Sequence, residues 1–204
     1  MKISKKAVII LIVLAILAAG IYFLVLQVRG GIVYAKYDEA MNYLGNQKYQ
    51  EAIIEFKKLA EMAPTSRWEV EAYYRIGMIH HMIWGEYDKA FDYYKKALAI
   101  DPDGDSGMVW SNIGELYLKQ GKIDDAVAAL KKSAEYDAHR ALDSVYFRLG
   151  LAYQQKGDIE KAIKSYKKCL TLRSDQHAHI AETAVHNLKV LEQTLQQNIK
   201  AGAN

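Results

Sequence analysis

The chain has 204 residues, with 27 Lys and Arg against 24 Asp and Glu, a formal excess of three positive charges. Lys2, Lys5 and Lys6 carry that whole excess, so the body is neutral. A neutral body argues against nucleic-acid binding, which needs clustered excess Lys and Arg. The lone cysteine, Cys169, excludes an internal disulfide or a Cys-X-X-Cys site and is compatible with a reducing or an oxidising compartment.

After a short basic tail, residues 1–6, the run Ala7 to Leu26, AVIILIVLAILAAGIYFLVL, passes without a charge or side-chain amide. At 1.5 Å rise per residue its helix reaches about 30 Å, the thickness of bilayer hydrocarbon. Ala18-Ala19-Gly20 is a possible signal-cleavage site. Cutting there leaves Ile-Tyr-Phe-Leu-Val-Leu as a new N-terminus, so a retained anchor over residues 7–28 is the preferred reading. The lysines on the N-terminal flank outnumber Arg29 and Lys36 on the other. The positive-inside rule therefore keeps the N-terminus cytoplasmic and exports the body, in a bacterium to the periplasm. Arg29-Gly30-Gly31 reads as an interfacial charge and a flexible joint, residues 29–31.

Beyond the joint the sequence repeats. YYRIGMIH from Tyr73, WSNIGELY from Trp110 and YFRLGLAY from Tyr146 align, and KYDEAMNY with QKYQEAIIEF forms a fainter first copy. Ala52, Ala90, Ala126 and Ala162 fall 38, 36 and 36 residues apart. Pro64 and Pro102 close the first two units, with Ala138 and Ser174 at the corresponding later places. Each unit carries two apolar stripes at helical spacing, joined by a short turn such as Lys119-Gln120-Gly121-Lys122. Gly77, Gly114 and Gly150 fall inside helices, where glycine costs about 1 kcal/mol relative to alanine. Close approach of a partner helix explains that cost, with Ala90, Ala126 and Ala162 expected opposite and Tyr117 and Tyr153 filling the wedge. Between Met78 and Trp84 the second unit has one residue more than the others. After Ser174 the pattern becomes one stripe, Ala181, Ala184, Leu188, Leu191 and Leu195, with Gln193, Gln196, Gln197 and Asn198 elsewhere. That is the form of a helix shielding the end of a repeat array.

The recurring pattern resembles the tetratricopeptide repeat family, whose signature reads W-x2-L-G-x2-Y, then A-x3-F, then P. The resemblance covers about residues 32 to 174. It implies an α-solenoid of four helix-turn-helix repeats (32–66, 67–104, 105–140 and 141–174); with the N-terminal transmembrane helix and the C-terminal capping helix, 175–200, the expected fold is all-α. It also implies a groove lined by the first helix of each unit that receives a partner protein or peptide. Carried onto this sequence, the groove positions are Tyr37 and Met41; Tyr74, Met78 and His81; Asn112 and Glu115; and Phe147, Arg148 and Leu151. The two-carboxylate clamp of chaperone-binding members is not matched, because Tyr37, Met41 and Ser144 stand where Lys or Asn is required.

Other candidate chemistries are weak. Asp101 to Gly107, DPDGDSG, begins like a calcium loop but has Ser106 sixth and Asn112 twelfth, and reads as an inter-unit turn. His80 and His81 are adjacent and diverge on a helix, His80 standing at the wedge-tyrosine position. His177 and His179 lack thiolate or carboxylate companions at zinc spacing. Cys169 aligns with Ala97 and Ser133 as a small buried filler. No cofactor, metal or catalytic constellation is expected. The expected role is a membrane-anchored, non-enzymatic scaffold in an envelope or membrane complex, the alternative being a cytosol-facing receptor for import or chaperone docking.

Overall fold

A computed structural model describes residues 5–62, 65–101, 107–136, 142–172 and 178–202. Pro64, Pro102, Ala138, Ser174, His177 and most of the calcium-like loop lie outside these residues. The described residues are helical and contain no strand: α1 (Lys5–Gly45), α2 (Tyr49–Met62), α3 (Ser66–Met78), α4 (Tyr87–Ile100), α5 (Gly107–Lys119), α6 (Ile123–Tyr136), α7 (Leu142–Lys156), α8 (Ile159–Thr171) and α9 (Ala178–Gly202). The chain divides into two compact units, residues 1–75 and 76–204.

In the first unit α1 is one unbroken helix of 41 residues. The joint expected at Arg29-Gly30-Gly31 is absent: both glycines are helical and neither has a positive φ. A helix already propagated on both sides absorbs the roughly 1 kcal/mol that each glycine costs. Along α1 the surroundings change sharply. From Ile12 to Ile32 the side chains are exposed, Ile16 at 65% and Phe23 at 63% among them, so nothing among the described residues covers this stretch. At Val33 and Ala40, both 0% exposed, burial begins on one side, where α2 packs against the helix.

Three of the helical hairpins share a turn built by the same two hydrogen bonds. The Lys122 N–H donates to Tyr117 O (2.9 Å) and the Gly121 N–H to Leu118 O (3.1 Å). Asp158 and Gly157 repeat the pattern on Tyr153 and Gln154, as do Lys48 and Gln47 on Tyr43 and Leu44. This is the Schellman motif, which needs a left-handed residue just past the helix. Gly121 (φ 71°) and Gly157 (φ 80°) supply it without strain. The first hairpin uses Gln47 at φ 60°.

The extra residue of the second repeat takes a definite form. Ile79–Ile83 is a π-helical turn continuing α3, and the Glu86 N–H reaches six residues back to His80 O (2.9 Å). The wider turn absorbs the insertion and still delivers Gly85 (φ 64°) to the left-handed position before α4.

The helical glycines do mark close approaches, chiefly to a large side chain one turn past each alanine, and at Gly114 also to the Ala126 carbonyl oxygen at 3.4 Å. A Cβ on Gly77 would stand 2.5 Å from the Tyr94 ring, on Gly114 2.6 Å from Leu130 Cγ, and on Gly150 2.5 Å from the Tyr166 ring. Each glycine is a recess for the large side chain one turn beyond the conserved-spacing alanine of the following helix. Ala90, Ala126 and Ala162 are fully buried beside them. In the first hairpin the same register position is Ala40. At the end of the array, Ala184 and Leu191 of α9 join a core with Tyr166 and Cys169, while Gln193, Gln196, Gln197 and Asn198 face solvent.

Candidate protein-interaction surface

The first unit offers a compact aromatic and charged cluster. Tyr37, half-buried on α1, packs on Trp68 (centroids 5.2 Å apart) and Phe56 (6.3 Å). Its hydroxyl donates to Glu71 Oε1 (3.2 Å), and Arg75 Nε donates to that same oxygen (2.7 Å). Burial, with the Glu71 carboxylate adding to it, raises the Tyr37 phenol pKa against the opposing pull of Arg75, so the hydroxyl stays a donor. Met41 is half-buried one turn on. Tyr74 differs from expectation: it is 8% exposed, with the Arg75 guanidinium lying over its ring at 5.7 Å.

In the second unit Met78 is half-buried, whereas His81 and Asn112 are buried at 4% and 5% exposure. Their polar atoms explain why. Asn112 Nδ2 donates to Tyr94 Oη (3.3 Å), and the same hydroxyl approaches His81 Nδ1 (3.5 Å). A buried tyrosine hydroxyl needs such partners. Burial depresses the His81 pKa; Glu115 opposes the shift, and Lys119 and Arg148 add to it. Tyr74, His81 and Asn112 therefore underlie the surface and do not form it. His80 is also interior, stacked on Tyr93 (5.3 Å) with Nδ1 2.6 Å from Glu86 Oε2.

Glu115, Phe147, Arg148 and Leu151 come together. They line a cleft of about 260 Å³ with Leu118 of α5 and with His179, Ile180 and Thr183 of α9. Arg148 is held on all sides: Nε and Nη2 donate to Glu115 Oε2 (3.2 and 2.9 Å), and Nη1 to Ser111 Oγ and Ser144 Oγ (both 3.3 Å). Glu115 also stands 3.8 Å from His81 Nε2. Lys119 Nζ stands 3.9 Å from Glu115 as well, and the result is a pre-organised polar wall beside an apolar one formed by Phe147, Leu151 and Ile180. Leu118 was within reach of sequence reasoning, being one turn from Glu115; the α9 residues were hidden by that helix's role as a cap. Cys169 is 1% exposed, and burial pushes its thiol up to about 11, which makes it an inert filler. Among the described residues no three His, Cys, Asp or Glu gather as a metal site.

Antiparallel helix pairs with glycine-recessed packing and a capping helix define a helical repeat protein built for contact with other proteins. The Tetratricopeptide repeat model matches residues 34–103 and 105–175, well over half of the chain, and the chain belongs to that family. Solved structures agree on the fold. PilF of Pseudomonas aeruginosa superposes with TM-score 0.69 at 20% identity, over 86% of this chain and 74% of that one. BtubC (BKLC) from P. vanneervenii gives 0.70 at 18%, over 86% and 77%. YrrB, a tetratricopeptide protein described as having an unusual peptide-binding site, gives 0.59 at 19%, over 79% and 76%. No curated protein sequence matches the chain.

Proposed function

We propose that the protein is a membrane-anchored scaffold that holds a partner protein or peptide of an envelope complex. One observation carries the docking site: four residues placed in the groove from sequence, Glu115, Phe147, Arg148 and Leu151, line a single cleft. A fixed ion pair beside an apolar wall suits a peptide that offers both a polar backbone and an apolar side chain. Tyr37 and Met41 in the first unit and Met78 in the second are the remaining partly exposed groove candidates. Peptide binding in YrrB is consistent with such a use of the fold.

The anchor rests on α1, the one helix among the described residues long and apolar enough to cross a bilayer, whose side chains from Ile12 to Ile32 are exposed. Residues 7–28 span the membrane, Lys2, Lys5 and Lys6 stay cytoplasmic, and the repeats lie outside the cytoplasm.

Purification in mild detergent, wild type beside Leu151→Arg, tests the docking site. The wild type should retain a co-purifying chain that the variant loses while its helical signal is unchanged. Retention at full yield by the variant removes the cleft as the docking site. A C-terminal reporter active only after export tests the orientation, and cytoplasmic activity reverses it.

A further inference from the structure

A second, chemically different groove lies on the other side of α7. Phe147, Arg148 and Leu151 occupy one side of that helix; Tyr146, Leu149 and Tyr153 occupy the opposite side and floor a groove of about 850 Å³ between α6 and α8. Its rim is basic. Lys161, Lys164 and Lys168 form one stripe along α8, joined by Lys167 and, from α6, Lys131, against the single carboxylate of Glu135. Lys161 is paired with Asp158 (2.6 Å) and Lys167 with Glu192 (2.8 Å). Lys131, Lys164 and Lys168 are exposed, and no described carboxylate lies within ion-pair distance of them. In a body of no net charge, three ammonium groups without an ion-pair partner among the described residues, set against the one carboxylate of Glu135 over an apolar floor, are a local excess of one sign.

We propose that this groove docks an acidic segment of a partner protein, its carboxylates on Lys131, Lys164 and Lys168 and an apolar side chain against the floor. The depth favours a peptide over an anionic bilayer. Leu149 and Tyr153 are 4% and 9% exposed at the base of a concavity, which a side chain enters and a plane of headgroups does not. The volume accommodates a few extended residues. The site is independent of the cleft on the other side of α7, so the protein has two docking faces of different chemistry.

The test uses the full chain in phosphatidylcholine nanodiscs. The probe is a fluorescein-labelled heptapeptide of Asp and Glu around a central Leu, read by anisotropy at low ionic strength. It should bind, and its Asn/Gln counterpart should bind at least about tenfold more weakly. Lys164→Glu with Lys168→Glu should weaken binding by about tenfold or more, and Lys164→Arg with Lys168→Arg should keep it. Both positions are solvent-facing, and circular dichroism checks the fold. Leu151→Arg should leave probe binding unchanged, which separates this groove from the cleft. No binding of the acidic probe, equal binding of its amide counterpart, or indifference to the double Glu substitution overturns the proposal. So does tighter, lysine-dependent binding of added phosphatidylglycerol vesicles that displace the probe, which would make the groove a lipid site.

Discussion

Gly150→Ala should destabilise the protein although alanine is the better helix former. A Cβ at this position would lie 2.5 Å from Tyr166 Cε1, 2.6 Å from Cδ1 and 2.8 Å from Cζ. Ordinary carbon contacts are about 3.5–4.0 Å, so the ring has to retreat by about 1 Å. It has nowhere to go. Tyr166 is fully buried, lies 5.9 Å from the Phe147 ring, donates its hydroxyl to Gln154 Oε1 (2.8 Å) and accepts from Asn187 Nδ2 (3.1 Å). Overpacking costs about 1–3 kcal/mol and disturbing the hydroxyl's bonds about 1 kcal/mol more. Helix propensity returns about 1 kcal/mol. The net loss is about 1–3 kcal/mol, a fall in Tm of roughly 2–12 °C for a chain of this size. Thermal unfolding of the detergent-solubilised chain, followed by far-UV circular dichroism, measures it. Gly45→Ala is the control, since nothing lies within 4 Å of that Cβ, and it should be neutral or stabilising. A Tm for Gly150→Ala at or above wild type would refute the recess.

Gln47→Gly should raise Tm by up to about 4 °C, because it relieves a left-handed residue costing about 1 kcal/mol; a lower Tm would show that the turn tolerates Gln without strain. His81 has a depressed folded pKa, so its stabilising contribution is complete above the unfolded value of about 6.5 and is lost as pH falls through the folded one. Wild type should therefore lose stability on acidification below about pH 6.5 more steeply than His81→Phe, and parallel pH profiles would contradict this. Cys169 should resist a maleimide in the native chain and react after unfolding in urea, its thiol being buried with a pKa pushed up to about 11. Complete native labelling would show that the α8–α9 packing opens readily.

The repeats were legible because glycine, alanine and the turn residues recur in register, and each has a structural reason visible in the chain. Gly121 and Gly157 close Schellman turns, and Gly114 and Gly150 are recesses. The surplus residue between Met78 and Trp84 was countable from sequence, but its form, a π-turn with both His80 and His81 buried, was not. Which groove candidates reach the surface depends on partners that the sequence does not display. Asn112 and His81 are buried because both approach the hydroxyl of Tyr94 on α4, 18 residues before the one and 13 after the other, a meeting that no local pattern reveals. The break expected at Gly30-Gly31 failed because glycine permits a joint without requiring one. The basic groove escaped notice because Lys131 and Lys164 are separated in sequence, and a neutral total conceals local excess.

The most direct measurement places a photo-crosslinking amino acid at Leu151, and at the exposed Asp92 as a control, in the chain expressed in its own membrane. Illumination should give a discrete protein adduct from position 151, from the membrane fraction, and none from position 92. An equal pattern from both positions, or adducts recovered only from soluble chain, would contradict a membrane-tethered scaffold that grips its partner at the α5–α7 cleft.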